Sequence, residues 1–190
     1  AGRDALDFSA STSGVQVDLS TGTLVDGEGF GDQFSSIEIV TGSDAADTLV
    51  GSEDVDTLIG GGGDDTLVGD VGDDVFVVDG GKDVIDGGAG QDVLDFSASA
   101  SGVQVDLSTG TLVDGEGFED QFSSIEIVTG SDAADTLVGS ENADRLIGGG
   151  GDDTLIGGGG DDVFVVDGGE DVIDGGAGRD ALDFSESASG

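Results

Sequence analysis

Aspartate recurs every nine residues in this chain. It stands at Asp47, Asp56, Asp65, Asp74, Asp83 and Asp92, and again at Asp135, Asp144, Asp153, Asp162, Asp171 and Asp180. Two residues after each comes a large apolar side chain, from Leu49, Leu58 and Leu67 to Phe164, Ile173 and Leu182. Carboxylates in this number could run acid–base chemistry or hold a hard cation. The first use finds no partners: the chain has no His, Cys or Tyr, so Ser–His and Cys–His nucleophile systems are absent. A glycosidase-like carboxylate pair cannot be singled out where every turn carries one. The second use fits the donor set. Carboxylate and main-chain carbonyl oxygens are what Ca²⁺ prefers, while softer metals lack their usual ligands.

The elements that must position these aspartates are nine-residue units. Six run from residue 42 to 95: GSDAADTLV, GSEDVDTLI, GGGGDDTLV, GDVGDDVFV, VDGGKDVID and GGAGQDVLD. Positions one to six are mostly Gly, Asp, Ser and Ala, a composition that turns sharply. Positions seven to nine, such as Thr66-Leu67-Val68, favour a short strand with its middle side chain on one face. One unit buries nothing alone, so units must stack into a solenoid. Successive strands then fall alternately into two facing sheets, and two units make one coil. Leu49, Leu67 and Ile85 come from one sheet and Leu58, Phe76 and Leu94 from the other, giving a thin core. Stacking places each position-six Asp over the one two units away: Asp47, Asp65 and Asp83 on one edge, Asp56, Asp74 and Asp92 on the other. Aligned like charges repel; a divalent cation between them turns that repulsion into coordination.

The pattern G-G-x-G-x-D-x-U-x resembles the RTX (repeats-in-toxin) calcium-binding β-roll, most closely at Gly60 to Val68, Gly148 to Ile156 and Gly87 to Asp95. Twelve in-phase units carry the resemblance. It implies an all-β fold, a right-handed parallel β-roll or two-sheet β-solenoid, with one Ca²⁺ between turns of neighbouring coils. It also implies the ligands: the position-six aspartates and main-chain carbonyls of the first four positions. One site would use Asp65 and Asp83 with the carbonyls of Gly61, Gly63 and Gly80; another would use Asp47 and Asp65 with Gly60 and Gly62. The same carry-over nominates Gly72, Gly81 and Gly87. In the second array it nominates Gly148, Gly149, Gly150 and Gly151, then Gly158 and Gly160, then Gly168, Gly169 and Gly175. The sequence departs from the pattern at Val78-Asp79, where the first glycine is missing, and in the first two units, where Ser, Ala and Asp replace glycines. Sites there are expected to be weaker or distorted. A flexible acidic linker is the blander reading, but a linker has no reason to hold Leu, Ile and Phe in phase.

Composition sets further bounds. The 190 residues carry 43 acids against four bases, a net charge of −39. A compact body so charged repels itself, and metal-free it should be largely unfolded. Nucleic acid and anionic membrane both want Lys and Arg and are argued against. No apolar run is long enough to span a bilayer, so membrane insertion is not expected. Weak, many-site Ca²⁺ binding suits the extracellular medium, so the chain reads as secreted or cell-surface. Gly-Glu-Gly-Phe-Gly-Asp at Gly27 to Asp32 lacks the positions of an EF-hand loop, and the glycines at Gly60 to Gly63 are followed by acids rather than a phosphate-binding Lys.

A period of 88 overlies the period of nine. Residues 3–90 and 91–178 differ at only eleven positions. The reading is a repeat tail at 1–7, a first unit at 8–95, a second at 96–183 and the start of a third at 184–190. Each 88-mer comprises an irregular stretch (8–41, 96–129) and six nonapeptides (42–95, 130–183). The ends fall inside units without caps, which suggests continuation or end-to-end association. The irregular stretches hold strand-like pieces and are read as nearly two further coils, a separate insert being the alternative. Phrases such as SIEIVTGSDAADTL also resemble RTX proteins, in which the Glu before the first repeat often ligates calcium; this nominates Glu38 and Glu126, with an outward-facing strand Glu equally open.

Positions seven and nine point outward. One sheet thereby presents a stripe of Ile59, Val75, Val77 and Val93, echoed by Val163 and Val165, which marks side-by-side self-association or is ordinary strand surface. The leading functional reading is a non-enzymatic, calcium-folded structural repeat protein: a segment of a secreted fibre, surface layer or long adhesin. The alternative is a non-catalytic β-roll appendage of an enzyme or toxin secreted by a type I route. An ice-binding face built on Thr48, Thr57 and Thr66 is disfavoured, because these threonines alternate between sheets and give way to Val75, Val84 and Val93.

Overall fold

The computed structural model describes residues 2–185. Ala1, and residues 186–190 of the expected third repeat, lie outside the described residues. The described residues contain 21 short strands, all but one of three residues, and no helix among them is long and apolar enough to cross a membrane. The chain divides into two units, Ala1–Val93 with Asp120–Ser124, and Leu94–Glu119 with Ile125–Gly190.

In the first unit one sheet stacks Ala5–Asp7, Ile39–Thr41, Thr57–Ile59 and Val75–Val77, all parallel. The other stacks Gln16–Asp18, Thr48–Val50, Thr66–Val68 and Val84–Asp86, again parallel. The register advances by two nonapeptides per coil: Leu49 lies beside Leu67 and Leu67 beside Ile85. The fold is the parallel two-sheet β-roll. Apart from Ala5–Asp7, each of these strands buries its middle residue and no other. Leu49, Leu58, Leu67, Phe76 and Ile85 are each at most 1% exposed, so the single large side chain of each of these nonapeptides does close the interior.

The second unit repeats the plan. Ile127–Thr129, Arg145–Ile147, Val163–Val165 and Ala181–Asp183 form one parallel stack. Gln104–Asp106, Thr136–Val138, Thr154–Ile156 and Val172–Asp174 form the other. Leu94, Leu137, Leu146, Leu155 and Phe164 are buried, whereas Leu182 in the last described strand is 51% exposed, because no further coil covers it among the described residues.

The turns explain the glycines. Gly61 and Gly63 adopt φ of +95° and +113°, a region other residues enter only with strain. A Cβ on Gly61 would also collide with the Ser43 carbonyl of the coil below. Where Gly158 stands in the second array, the first has Asp70, which takes the same left-handed conformation at φ 74°; Asp tolerates it better than most.

Within the irregular stretches the roll is mixed with antiparallel pairs. Gln16–Asp18 extends the nonapeptide sheet, but Thr23–Val25 pairs antiparallel with it and Gly31–Gln33 antiparallel with Thr23–Val25. In the second unit Thr111–Val113 pairs antiparallel with Gln104–Asp106. The expectation of nearly two further coils is corrected: Leu6 pairs directly with Val40 and Val17 with Leu49, as Val105 does with Leu137, so each irregular stretch spans one enlarged coil into which the antiparallel pair is set. Gln121 to Ser123, which belong to the first unit, pair parallel with Val84–Asp86 of that unit.

The outward stripe differs from expectation. Ile59, Val75, Val77, Val93 and Val163 are half-buried rather than open, and Val165 is fully buried. In an in-register parallel stack every outward side chain is flanked by others at the strand spacing of about 4.8 Å, as Val165 is by Ile147 and Asp183. The more open valines are Val84 and Val172, 52% and 65% exposed, on the opposite sheets.

Candidate metal centre

Each position-six aspartate lies at the end of a turn, immediately before its strand, so parallel stacking fixes where its carboxylate points. The main-chain N–H of Asp47 donates to Asp65 Oδ1 at 2.8 Å, and that of Asp65 to Asp83 Oδ1 at 2.9 Å. On the opposite edge Asp56 donates to Asp74 and Asp74 to Asp92, at 2.8 and 2.9 Å. The second unit has the same ladders, Asp135 to Asp153 to Asp171 and Asp144 to Asp162 to Asp180, at 2.8 to 3.2 Å. Each rung reads the carboxylate of the coil above it. The expected stacking of aspartates one coil apart is therefore built into the main-chain register.

At Asp65, Asp74, Asp153 and Asp162 one oxygen is spent on this ladder, while at Asp56 and Asp144, which head theirs, one oxygen accepts the N–H of Ser52 or Ser140 instead, at 2.7 and 2.6 Å. The other is buried without a hydrogen-bond partner at Asp65, Asp74, Asp153 and Asp162, where it is Oδ2, and at Asp56 and Asp144, where it is Oδ1. All six residues are at most 3% exposed. A buried carboxylate oxygen with no partner costs several kcal/mol if charged. It must be protonated or meet a cation. The glycine at the head of each turn leaves the needed space: a Cβ on Gly60 would collide with Asp65 Oδ2, and one on Gly148 with Asp153 Oδ2.

The electrostatics follow from this geometry. Burial, with Asp83 and Asp47 adding negative charge nearby, pushes the Asp65 carboxyl up to about 7. Burial raises Asp74 to about 6, with help from Asp92 and Asp56, and Asp153 to about 6, with help from Asp135 and Asp171. Asp56, Asp144 and Asp162 are also raised, chiefly by burial.

The other expected residues divide. Asp47 and Asp135 head their ladders with both oxygens engaged, by Val15 and Ser43 N–H for Asp47 and by Val103 and Ser131 N–H for Asp135, at 2.6 to 2.7 Å. Asp171 is half-buried and Asp180 exposed, in the last described rungs. Glu38 and Glu126 stand one coil before Asp56 and Asp144 and occupy their rung. Thr57 N–H donates to the Glu38 carbonyl and Arg145 N–H to that of Glu126, as Val75 N–H does to that of Asp56. Each glutamate adds repulsion at the aspartate above it. Of the expected carbonyl ligands, that of Gly80 accepts Gly63 N–H at 3.0 Å, which leaves one lone pair for an ion.

Three groups of acids escape a reading based on position six. The position-five aspartates form an outer ladder: Asp64 accepts Lys82 N–H, Asp73 that of Gln91, Asp152 that of Glu170 and Asp161 that of Arg179, at 2.9 to 3.0 Å. Asp120 completes the Asp47–Asp65–Asp83 ladder by accepting Asp83 N–H at 2.8 Å. Its signal was Asp120-Gln121-Phe122-Ser123, the D-x-U-x half of a nonapeptide without the glycine half. Asp79 joins Asp65 and Asp83 in a cluster whose carboxylate oxygens lie within 4.8 Å of one another.

A family model for the RTX calcium-binding nonapeptide repeat matches in four copies, at residues 41–76, 68–98, 129–164 and 156–186, together more than half the chain. The chain belongs to the RTX calcium-binding nonapeptide repeat family. No curated protein matches the chain as a relative. RTX membership and the donor set agree: buried, oxygen-only, partnerless carboxylates in glycine-lined turns suit Ca²⁺. The cofactor of this RTX chain is calcium.

Proposed function

We propose that the chain is a structural segment of a secreted fibre, surface layer or long adhesin, folded by calcium held between successive turns. The ligands in this reading are the position-six aspartates, with carbonyls of the turn glycines and Glu38 and Glu126 at the first rung. The observation that carries it is the row of buried, unpartnered carboxylate oxygens repeated coil after coil in a chain of net charge −39. Without cations those oxygens oppose folding; with them they link coil to coil. Binding energy available only to the folded chain is folding energy. A mechanical rather than catalytic role is supported by near-identical 88-residue repeats and by the lack of His, Cys and Tyr.

Self-association, end to end or side by side, belongs to this reading. Its lateral surface is the half-buried row Ile59, Val75, Val77 and Val93, with Val163 in the second unit and without Val165. Circular dichroism during a Ca²⁺ titration, followed by electron microscopy of the calcium form, tests both parts. Coil-to-β conversion with filaments is the expected outcome. Conversion to discrete monomers removes the fibre, and no conversion removes the calcium-folding reading. Val75→Lys combined with Val77→Glu should abolish lateral assembly; unchanged assembly clears that face of any role.

A further inference from the structure

The unit that departs most from the repeat, Val78-Asp79-Gly80-Gly81-Lys82-Asp83, has a half-buried aspartate at position two, where the unit one coil before it has Gly61. Val78 turns into the core at 7% exposure. Asp79 follows it without the positive φ of Gly61 and Gly88 at the same position, and its side chain reaches the preceding coil. Asp79 Oδ2 accepts Gly61 N–H at 2.7 Å, while Oδ1 is buried with no hydrogen-bond partner. Asp65, 1% exposed, aims its own unpartnered Oδ2 at the same gap. One carboxylate oxygen each of Asp65, Asp79 and Asp83 falls within 4.8 Å of the others. Ca²⁺ holds oxygens at about 2.3–2.6 Å, so oxygens on opposite sides of one ion stand up to about 5 Å apart. The three carboxylates are spaced for a single ion.

We propose that Asp79 makes the Asp65–Asp83 gap a three-carboxylate calcium site, the tightest in the first unit. The proposal rests on the calcium-clamp reading above and adds a ligand that the regular repeat lacks. Regular gaps offer two carboxylates to a divalent ion; this one offers three, and calcium affinity rises with ligand charge. The departure at Val78-Asp79, expected to weaken the site, instead strengthens it. The matching residue of the second unit is not equivalent. Asp167 accepts Gly149 N–H at 2.8 Å, but its other oxygen takes Gly168 N–H at 3.1 Å, and Asp171 is only half-buried.

Calorimetric titration of the full chain with Ca²⁺ at pH 7.5 tests the proposal. The variants are Asp79→Asn, which keeps an acceptor for Gly61 N–H, Asp79→Gly, which restores the repeat pattern, and Asp167→Asn as the paired control. Wild type should show a tight class of about one site per chain, about tenfold or more tighter than the rest. Both Asp79 variants should lose it while reaching the wild-type β signal at saturating calcium, and Asp167→Asn should retain it. An Asp79→Asn or Asp79→Gly isotherm superimposed on wild type, or equal loss in Asp167→Asn, overturns the proposal. Should Asp79→Asn fail to fold, Asp79→Gly decides, since glycine is the residue of the regular turn. Wild type that binds no calcium sinks the clamp reading itself, a result distinguishable from failure of the third ligand alone.

Discussion

Metal-free, the roll should fold in acid and unfold near neutrality, the reverse of the usual carboxylate-driven behaviour. The perturbation is chelation followed by a pH scan. Asp65 and Asp79 are each raised from an ordinary 3.8 to about 7, and Asp74 and Asp153 to about 6, burial being the largest cause at all four. A carboxyl whose pKa is higher folded than unfolded contributes stability that is fully present below about 3.8. That contribution is lost as pH rises through the folded value. For Asp65 and Asp79 the loss by neutral pH is on the order of 3 kcal/mol each, once screening by nearby water is allowed for. Two such groups already rival the roughly 5–15 kcal/mol that holds a whole domain. Circular dichroism in chelator should therefore show β signal near pH 4.5 that disappears between about pH 6 and 7. With millimolar Ca²⁺ the signal should persist past pH 8, because the ion replaces the protons. A chelated chain that keeps its β signal at pH 8, or that unfolds as pH falls, refutes the claim that these carboxylates need a cation.

Two further outcomes follow from single positions. Phe76→Ala empties the largest buried side chain of its coil, 0% exposed, and should cost about 3–5 kcal/mol in chemical denaturation with saturating calcium; a loss under 1 kcal/mol would mean the interior is not the packed seam described. Asp74→Asn keeps an oxygen for the Asp56 N–H but removes the charge, so calorimetry should show fewer calcium ions bound per chain while the calcium-saturated β signal survives; an unchanged stoichiometry would remove Asp74 from the ligands.

Much of the architecture was legible because period and chemistry coincide. A glycine turn followed by a three-residue strand admits few stackings, and Leu49, Leu58, Leu67 and Phe76 fall where the period of nine puts them. The coil-to-coil spacing of the aspartates was equally readable, since two nonapeptides make one coil. What escaped was non-local. Asp120 carries the strand half of a nonapeptide, but nothing adjacent announces that it completes a rung begun at Asp83, 37 residues earlier. Asp79 looked like a defect because the pattern scores position two for glycine; only burial and the nearness of Asp65 make it a ligand candidate. The outward valines were misjudged for a related reason. Exposure in a parallel stack depends on the strands above and below, and the period does not report those for Val165.

The stretches Gly31–Gln33 and Glu119–Ser123 make the same point with nearly the same sequence. GFGDQFSS and GFEDQFSS differ only at Gly31 and Glu119. Gly31–Gln33 is the edge of its sheet, beside Thr23–Val25 alone, whereas Gln121 to Ser123 has Val84–Asp86 as a parallel neighbour. Local preference cannot separate them, so the neighbouring strands decide. With a nonapeptide coil alongside, Asp120 enters the inner ladder and becomes 1% exposed; at the sheet edge, Asp32 stays exposed. A buried aspartate in this chain is thus a property of the strands stacked on both sides of it rather than of its own unit: Asp180 has a rung beneath it and is still exposed, just before the last described strand. In the proposed calcium-clamp reading, coordination and folding are therefore one event: the carboxylates acquire their need for a cation only as the coils close on one another, and an ion taken there would hold closed the stack that created the need.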